Sequence, residues 1–169
     1  MREILGAALA VILSLFGVFI VYEVYAGVTK NTNVQDDTNK MITVRNELSK
    51  AYGNQPGRYG TAVIAPATLI GLGAVTDDMV ISNTQLANPW GGAFIVTGNG
   101  QSLALDQDNI PETDCNTLVT NQRSGSGVVS FAVGTTIASA SSASAQTVPV
   151  SPANTGCVAG VNAVRTVLQ

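Results

Sequence analysis

Apolar positions dominate the start of the chain, and polar positions enter only after them. Residues 4–22 carry no charged side chain, and a run of about 19 such residues is long enough to cross a bilayer core as a helix. The next residues, 23–52, contain no Pro and only Gly27 as a helix-weakening residue. The pattern therefore predicts one continuous helix over Met1–Tyr52, on the order of 80 Å long.

The second part of this predicted helix is amphipathic. Its apolar positions repeat at steps that suit a helix packing one face on a core, and they are Val34, Met41, Leu48 and Tyr52. We expect the charged side chains to lie mostly away from that stripe, and these are Asp36, Asp37, Lys40, Arg45 and Lys50. The Gly- and Pro-containing segment 53–57 then ends the helix.

These patterns divide the chain into two parts. Residues 1–52 are the N-terminal helix, with a hydrophobic half at 1–25 and an amphipathic half at 26–52, and residues 53–169 remain for one globular head domain. The hydrophobic half has three interpretations: a signal peptide, a membrane anchor or an assembly helix. A signal peptide usually begins with several positive residues and ends at a small-residue cleavage site. Neither feature is found here, which favours the other two interpretations.

The head is predicted to contain strands and short helices. Alternating residues in Ala93–Thr97 and Ser102–Asp106 flank a Gly-Asn-Gly turn, which predicts a β-hairpin. Pro111 suits the start of a helix over Glu112 to about Gln122. The other predicted elements are a loop region with short helical turns at 58–80, a buried strand at 128–133, a Ser/Ala-rich flexible or surface loop at 139–145, and a final strand or short helix at 161–168.

Composition narrows the possible functions. The net charge is -3 and only 11% of residues are charged, well below the usual quarter, which suggests a surface partly buried in an assembly. The alternative is a secreted β-rich domain with a Ser/Thr-rich surface. The chain has no His, the commonest general base and transition-metal ligand, and no basic cluster typical of nucleic-acid binding. No hydrolase, zinc-protease or phosphate-loop motif occurs, so we predict a non-enzymatic protein without a cofactor.

Cysteines and carboxylates are the remaining candidates for chemistry. Behind a membrane-crossing N-terminus, we expect Cys115 and Cys157 to form one disulfide that closes a loop of about 40 residues; the alternative is two unpaired buried thiols. The paired carboxylates at 36/37, 77/78 and 106/108 are interpreted as helix-face, cap and turn residues. One oxygen-rich set is an alternative calcium site, although its spacing differs from that of an EF-hand loop; it consists of Asp106, Asp108, Asn109 and Glu112.

Three motifs follow the uncharged segment in a specific order. The amphipathic half-helix ends in R-N-E-L-S-K-A-Y-G, N-P-W-G-G turns into an F-I-V strand, and D-N-I-P-E-T-D-C-N-T-L-V-T surrounds the first cysteine. This order resembles a type IV pilin, and within that family the type IVb branch, which includes bundle-forming and thin conjugative pili. In that resemblance, Cys157 is the second cysteine of the disulfide-bounded region.

The resemblance implies an α+β fold in which a long N-terminal α-helix packs on an antiparallel β-sheet domain. It implies the structural major subunit of an extracellular pilus, a helical homo-oligomer that polymerises through its hydrophobic helix. The expected roles are adhesion, aggregation, DNA uptake or conjugative mating-pair stabilisation. Before assembly, the subunit would be anchored in the inner membrane and handled by the pilus assembly machinery. The alternatives are a pseudopilin of a type II secretion system and a membrane-anchored periplasmic binding module.

The family usually has a Glu at the fifth mature position, which is thought to neutralise the N-terminal amine of a neighbouring subunit. This chain has Leu5 there, so Glu3 is the candidate for that role, and the alternative is a simple Arg2–Glu3 charge pair outside the membrane. No family-type leader precedes Met1, so we expect a processed chain. We also expect the helix to unwind at Ser14–Gly17 in a filament. The predicted assembly residues are therefore Met1, Arg2, Glu3, Ser14 and Gly17.

Overall fold

The amphipathic helix is the first element of the fold that the structure describes. The computed structural model describes residues 32–53, 55–121, 127–148 and 155–169, and the residues from Asn33 onward belong to one unit. The first helix, α1, covers residues 32–52 within that description. It ends where the sequence predicts, because Gly53 adopts a left-handed φ of 66° and its N–H donates to the Ser49 carbonyl at 3.0 Å.

The predicted membrane-crossing segment, residues 4–22, lies outside the described residues. Within the described ranges, no helix combines the length and the apolar character that crossing a bilayer requires.

After α1, the described chain alternates short helices with strands. The helices are α2 (Pro66–Gly71), a 3-10 helix (Asp77–Met79), α3 (Glu112–Asn121) and α4 (Ile137–Ser142). The strands are β1 (Val80–Ser82), β2 (Gln85–Leu86), β3 (Phe94–Asn99), β4 (Ser102–Pro111), β5 (Val128–Gly134), β6 (Gln146–Thr147) and β7 (Val161–Leu168). Strands β1 and β2 form a small hairpin, and the other five form an antiparallel sheet in the order β3-β4-β7-β5-β6. The predicted α+β class is therefore confirmed.

One face of the five-stranded sheet forms the main core together with α1. Side chains alternate between the two faces of a strand, and in β4 the residues Leu103, Leu105 and Gln107 share the face that carries the core. Large apolar side chains from the helices and the two central strands fill this core. They include Val34, Met41, Val44 and Leu48 from α1, Leu103 and Leu105 from β4, Leu118 and Val119 from α3, and Val164 and Leu168 from β7.

The opposite face of the sheet is built from small residues and is covered by α4. Buried alanines alternate with the core residues on three strands, and they are Ala104, Ala132 and Ala163. Helix α4 approaches this face very closely, because a Cβ at Gly134 would lie 2.3 Å from the Ser139 hydroxyl and 2.5 Å from the Ala140 nitrogen. The small side chains therefore set how near the helix can come.

Residues 139–142 of the Ser/Ala-rich segment 139–145 belong to helix α4, so the predicted loop is wrong for these residues and holds only for 143–145. Helix α4 begins with a capping box, in which Thr136 Oγ1 accepts from the Ser139 backbone N–H at 3.2 Å and Ser139 Oγ accepts from the Thr136 N–H at 2.9 Å. Reciprocal caps of this kind satisfy N–H groups at a helix start. Here a Ser stands in the position where Glu or Gln usually gives the signal, which is why composition alone suggested a loop.

Other predicted elements are confirmed with shifted bounds. The hairpin of β3 and β4, helix α3 and strand β5 lie where expected, and residues 161–168 form a strand. Strand β4 continues to Pro111, so Asp106 and Asp108 lie in a strand and not in a turn. The stripe of α1 is also corrected at its end, because Tyr52 is 38% exposed. The β1–β2 hairpin follows directly on the predicted loop region and was not anticipated.

The close approach at Gly98 gives a test of the fold. A Cβ there would lie 1.9 Å from the carbonyl oxygen of Tyr59, whose N–H in turn donates to the Gly100 carbonyl at 3.1 Å. We expect Gly98→Ala to lower the free energy of unfolding by about 2–3 kcal/mol, as overpacking does. Urea unfolding followed by the fluorescence of Trp90, the single Trp, measures the change.

Gly71 is the matched control for this substitution. Its added Cβ would meet nothing within 4 Å, and it lies in helix α2, where Ala is preferred over Gly by up to about 1 kcal/mol. Gly71→Ala should leave stability unchanged or slightly raised. Equal unfolding midpoints for the Gly98 and Gly71 variants would contradict the close approach of residues 59–60 to β3.

Candidate functional site: the helix anchor and the disulfide region

The five predicted assembly residues, at positions 1, 2, 3, 14 and 17, lie outside the described residues. The described chain contains two other features that bear on a subunit of this kind. One is the set of polar contacts that fastens α1 to the head, here called the helix anchor: Asp36, Asp37, Lys40, Asp78 and Gln107. The other is the disulfide region, residues 112–121 and 155–162.

The first part of the helix anchor is an ion cluster around Lys40. Its ammonium donates to Asp36 Oδ2, one turn earlier on α1, at 2.6 Å, and to Asp78 Oδ2 on the 3-10 helix. Lys40 is buried although both carboxylates are partly exposed. Burial acts to lower the pKa of Lys40, but the two hydrogen bonds outweigh it and raise that pKa. The same contact lowers the pKa of Asp78, so the pair stays charged and ties α1 to residues 77–79.

The second part of the anchor is the pair Asp37 and Gln107. Both side chains are fully buried, and Gln107 Nε2 donates to Asp37 Oδ2 at 3.1 Å. Burial raises the pKa of Asp37 to about 7, against the lowering effect of the Gln107 hydrogen bond and of Lys40. The contact joins α1 to β4 across 70 positions of sequence.

The prediction that Asp37 and Lys40 lie away from the apolar stripe is wrong for both residues. The seven-residue steps from Val34 to Leu48 defined the predicted stripe, Val44 was placed beside it, and position 37 was not assigned to it. Positions 37 and 44 complete a spacing of three and four residues with 34, 41 and 48, so Asp37 lies on the buried stripe itself. Gln107 could have been found in the same way, because it continues the alternation of Leu103 and Leu105.

A separate ion pair lies on the α4 side of the sheet. Asp106 and Arg165 are directly opposite each other on β4 and β7, with Arg165 Nε 2.9 Å from Asp106 Oδ1 and Nη2 3.0 Å from Oδ2. Arg165 Nη1 also donates to the Ser141 carbonyl of α4 at 3.4 Å. Burial raises the pKa of Asp106 and the Arg165 guanidinium partly opposes that rise. The pair therefore joins two central strands and the helix above them.

The predicted disulfide is present and joins α3 to the segment before β7. Cys115 and Cys157 are bonded across a sequence separation of 42 residues. Asn162 holds the same segment in place, because its Oδ1 accepts from the Val158 N–H at 2.8 Å and its Nδ2 donates to the Val158 carbonyl at 2.9 Å. The Glu112 N–H donates to the Gly160 carbonyl at 3.1 Å, which ties the start of α3 to this turn.

The N-P-W-G-G turn fastens the hairpin to α3 beside the disulfide. Asn88 Oδ1 accepts from the backbone N–H groups of Trp90 at 3.0 Å and Gly92 at 2.8 Å, and Asn88 Nδ2 donates to the Asp108 carbonyl at 2.7 Å. The Trp90 indole N–H donates to Asp114 Oδ2 at 2.7 Å. Asp114 is next to Cys115, so these hydrogen bonds connect the turn to the β3–β4 hairpin and to α3 beside the disulfide.

Three of the four residues of the alternative calcium site have other partners in the structure. Asp106 pairs with Arg165, Asp108 Oδ1 accepts from the Ala93 N–H at 2.6 Å, and Asn109 Nδ2 donates to the Trp90 carbonyl at 2.8 Å. Within the part of the chain that the structure describes, no group of three or more His, Cys, Asp or Glu could hold a metal ion.

Comparisons with known proteins show to which family this chain is similar and which solved structures share its fold. A family model described as PilS N terminal matches residues 28–168. Among solved structures, a type IV b pilin from Salmonella typhi is 20% identical with a TM-score of 0.53, and the match covers 78% of this chain and 97% of that chain. TcpA, a type IV pilin from the Vibrio cholerae El Tor biotype, is 17% identical with a TM-score of 0.50, with coverage of 82% and 99%. Comparison with curated protein sequences gave no match.

Removing the disulfide tests how much this cross-link stabilises the folded chain. In the loop-entropy account, a cross-link that closes a loop of this length stabilises the folded chain by about 4 kcal/mol. We expect the double variant Cys115→Ala/Cys157→Ala to lose most of that amount in urea unfolding. Wild-type protein in reductant should match the variant, and reductant should not affect the variant further. A loss below about 1 kcal/mol would show that the surrounding hydrogen bonds suffice without the cross-link.

Removing Arg165 tests whether the buried carboxylate of Asp106 depends on its ion-pair partner. Arg165→Met leaves a buried carboxylate without its partner, which should lower the free energy of unfolding by on the order of 3 kcal/mol at pH 7. The loss should shrink as the pH falls, because burial raises the pKa of Asp106 and a protonated Asp106 leaves no charge buried. Lys50→Met, which removes the exposed contact with Glu47, is the control and should cost below about 1 kcal/mol. A loss that does not vary with pH would contradict this account.

Proposed function

This chain belongs to the PilS N-terminal family and has the type IV pilin fold, and on that basis we propose that it is the major structural subunit of an extracellular type IVb pilus filament. The observation that carries the proposal is the family match, which extends over residues 28–168, from the amphipathic half-helix to the last strand. The fold and the family are those of a structural subunit and not of an enzyme.

The burial of α1 supports different roles for the two halves of the predicted N-terminal helix. The apolar stripe of residues 33–52 is occupied by the sheet of the same chain, so it is not available to other subunits. The uncharged residues 4–22 need a different apolar environment. We propose that the inner membrane provides it before assembly and that the corresponding helices of other subunits provide it in the filament. Burial at about 25 cal/mol per Å² of apolar surface makes such a non-covalent polymer strong.

We also propose that the head makes the contacts of the filament with its surroundings. Adhesion, aggregation and conjugative mating-pair stabilisation are all served by a subunit whose head faces outward. Exposed apolar side chains on the head include Val63, Ile81, Val158 and Val161. Exposed apolar residues on a chain of which only 11% is charged suit contact with other surfaces or with neighbouring subunits.

Electron microscopy of material sheared from producing cells tests the proposal. Long thin filaments that contain this chain, identified by its mass, are the expected result. Protein that stays in the inner membrane, with no filaments, would overturn the filament proposal. Short periplasmic rods would then favour a secretion pseudopilin, and a monomer would favour an anchored binding module.

Glu3 provides a specific prediction for assembly. If its carboxylate neutralises the N-terminal amine of a neighbouring subunit, Glu3→Ala should insert into the membrane normally but yield few filaments, because a charged amine would be buried without a partner. The measurement is the ratio of sheared to membrane-bound subunit on immunoblots. Glu112→Ala removes the same charge from an exposed position on the head and should assemble normally. Wild-type piliation by the Glu3 variant would contradict the role of Glu3.

A further inference from the structure

Two polar atoms at the interface between α1 and the sheet have no hydrogen-bond partner among the described residues. They are Asp37 Oδ1 and Gln107 Oε1, the second oxygens of the two side chains that already share the 3.1 Å contact. Both side chains have 0% exposure. Burying an acceptor without a donor destabilises the folded state. A carboxylate and an amide joined by a single N–H···O hydrogen bond leave one oxygen of each group without a donor.

A single proton would remove this mismatch. A carboxylic acid has one O–H donor in addition to its acceptor capacity. If Asp37 carries a proton on Oδ1, that O–H can donate to Gln107 Oε1 while Gln107 Nε2 continues to donate to Asp37 Oδ2. Both orphaned acceptors are then satisfied by the same pair of side chains.

The charges around Asp37 do not provide another way to satisfy it. Lys40, the nearest cation on α1, bonds to Asp36 and Asp78, and one positive with two negative charges leaves that cluster with a net negative charge. The other buried charged residues among those described have their own partners. Asp106 pairs with Arg165 on the opposite face of the sheet, and Asp114 of α3 accepts from the Trp90 indole. On the core face, β7 contributes the uncharged Val164 and Thr166. The Thr166 hydroxyl also has no hydrogen-bond partner among the described residues, so it donates to neither Asp37 nor Gln107.

We propose that Asp37 and Gln107 form a proton-dependent lock, in which the neutral carboxyl of Asp37 donates to Gln107 and holds α1 on the sheet. When the proton leaves, the buried carboxylate is charged, its Oδ1 and Gln107 Oε1 both lack a donor, and α1 is held less firmly. Since the chain has no His, the group that usually senses pH between 5 and 8 is absent, and Asp37 takes that place in the head. Mild acid therefore strengthens the subunit and neutral pH weakens it.

The sign of the effect follows from proton binding in the two states. Burial raises the pKa of Asp37 to about 7 from 3.8, so between these values the folded chain binds a proton that the unfolded chain has lost. Stability therefore falls as pH rises through this window and levels off above about 7. From pH 5 to pH 7, this one group should lower the folding equilibrium constant roughly 50-fold.

The experiment compares three forms of the full-length subunit in detergent micelles by urea unfolding from pH 5 to pH 8. Asp37→Asn keeps the shape of the side chain and cannot ionise, so the ratio of its folding constant to that of wild type should rise roughly 50-fold between pH 5 and pH 7. Glu112→Gln removes one negative charge from an exposed residue outside the helix anchor and is the control. Its ratio to wild type should stay nearly constant, which also accounts for any contribution from Asp106.

A ratio for Asp37→Asn that does not change with pH would overturn the lock. If Asp37→Asn does not fold, the carboxyl carbon resonance of Asp37 is followed by NMR in the wild-type subunit. A midpoint near pH 7 supports the lock, and a midpoint near pH 4 overturns it. Both measurements, the folding constant and the titration midpoint of Asp37, are made on the isolated subunit. Their outcome therefore does not depend on whether the chain forms filaments.

Discussion

The burial of one face of α1 on the sheet is the interaction on which the rest of the head depends. Four side chains of α1, at positions 34, 41, 44 and 48, enter the same core as the central strands, and each fully buried side chain of this size contributes about 1.5–3 kcal/mol. Without this helix, the core face of β4 and β7 would be exposed. The head and the second half of the helix are therefore a single folding unit, and the polar contacts of Asp37 and Lys40 determine how the helix is placed on it.

The two faces of the sheet follow different packing rules. The α1 face is filled by Leu, Val, Met and Phe side chains, whereas the buried positions of the α4 face include Ala104, Ala132 and Ala163 together with one ion pair. Large side chains allow small adjustments of a helix, but a contact through Gly134 leaves almost none, since any added carbon would meet the α4 backbone. Arg165 can reach both Asp106 and α4 because the helix lies so close to the sheet.

Much of this architecture is readable from the sequence, because hydrophobic periodicity and turn residues act locally. The end of α1 at Gly53, the hairpin around residues 98–101 and the start of α3 at Pro111 depend on neighbouring residues and were predicted. The buried polar contacts were not, because Gln107 acquires its partner from a residue 70 positions earlier. Helix α4 was missed because its start depends on a reciprocal cap in which Ser139 replaces the usual Glu or Gln, and its packing depends on Gly134 at the end of the preceding strand β5.

The order of the strands in the sheet has a consequence for how the chain folds. Strand β7, at residues 161–168, is the last strand in the described sequence, yet it lies at the centre of the sheet between β4 and β5. Synthesis runs from the N-terminus, so β4 and β5 are both made before the strand that joins them. Until then, the two halves of the sheet have unpaired edges, which favour wrong pairing between chains. Folding of the head must therefore wait for residues 161–168, and Cys115 stays unpaired until Cys157 has also been made.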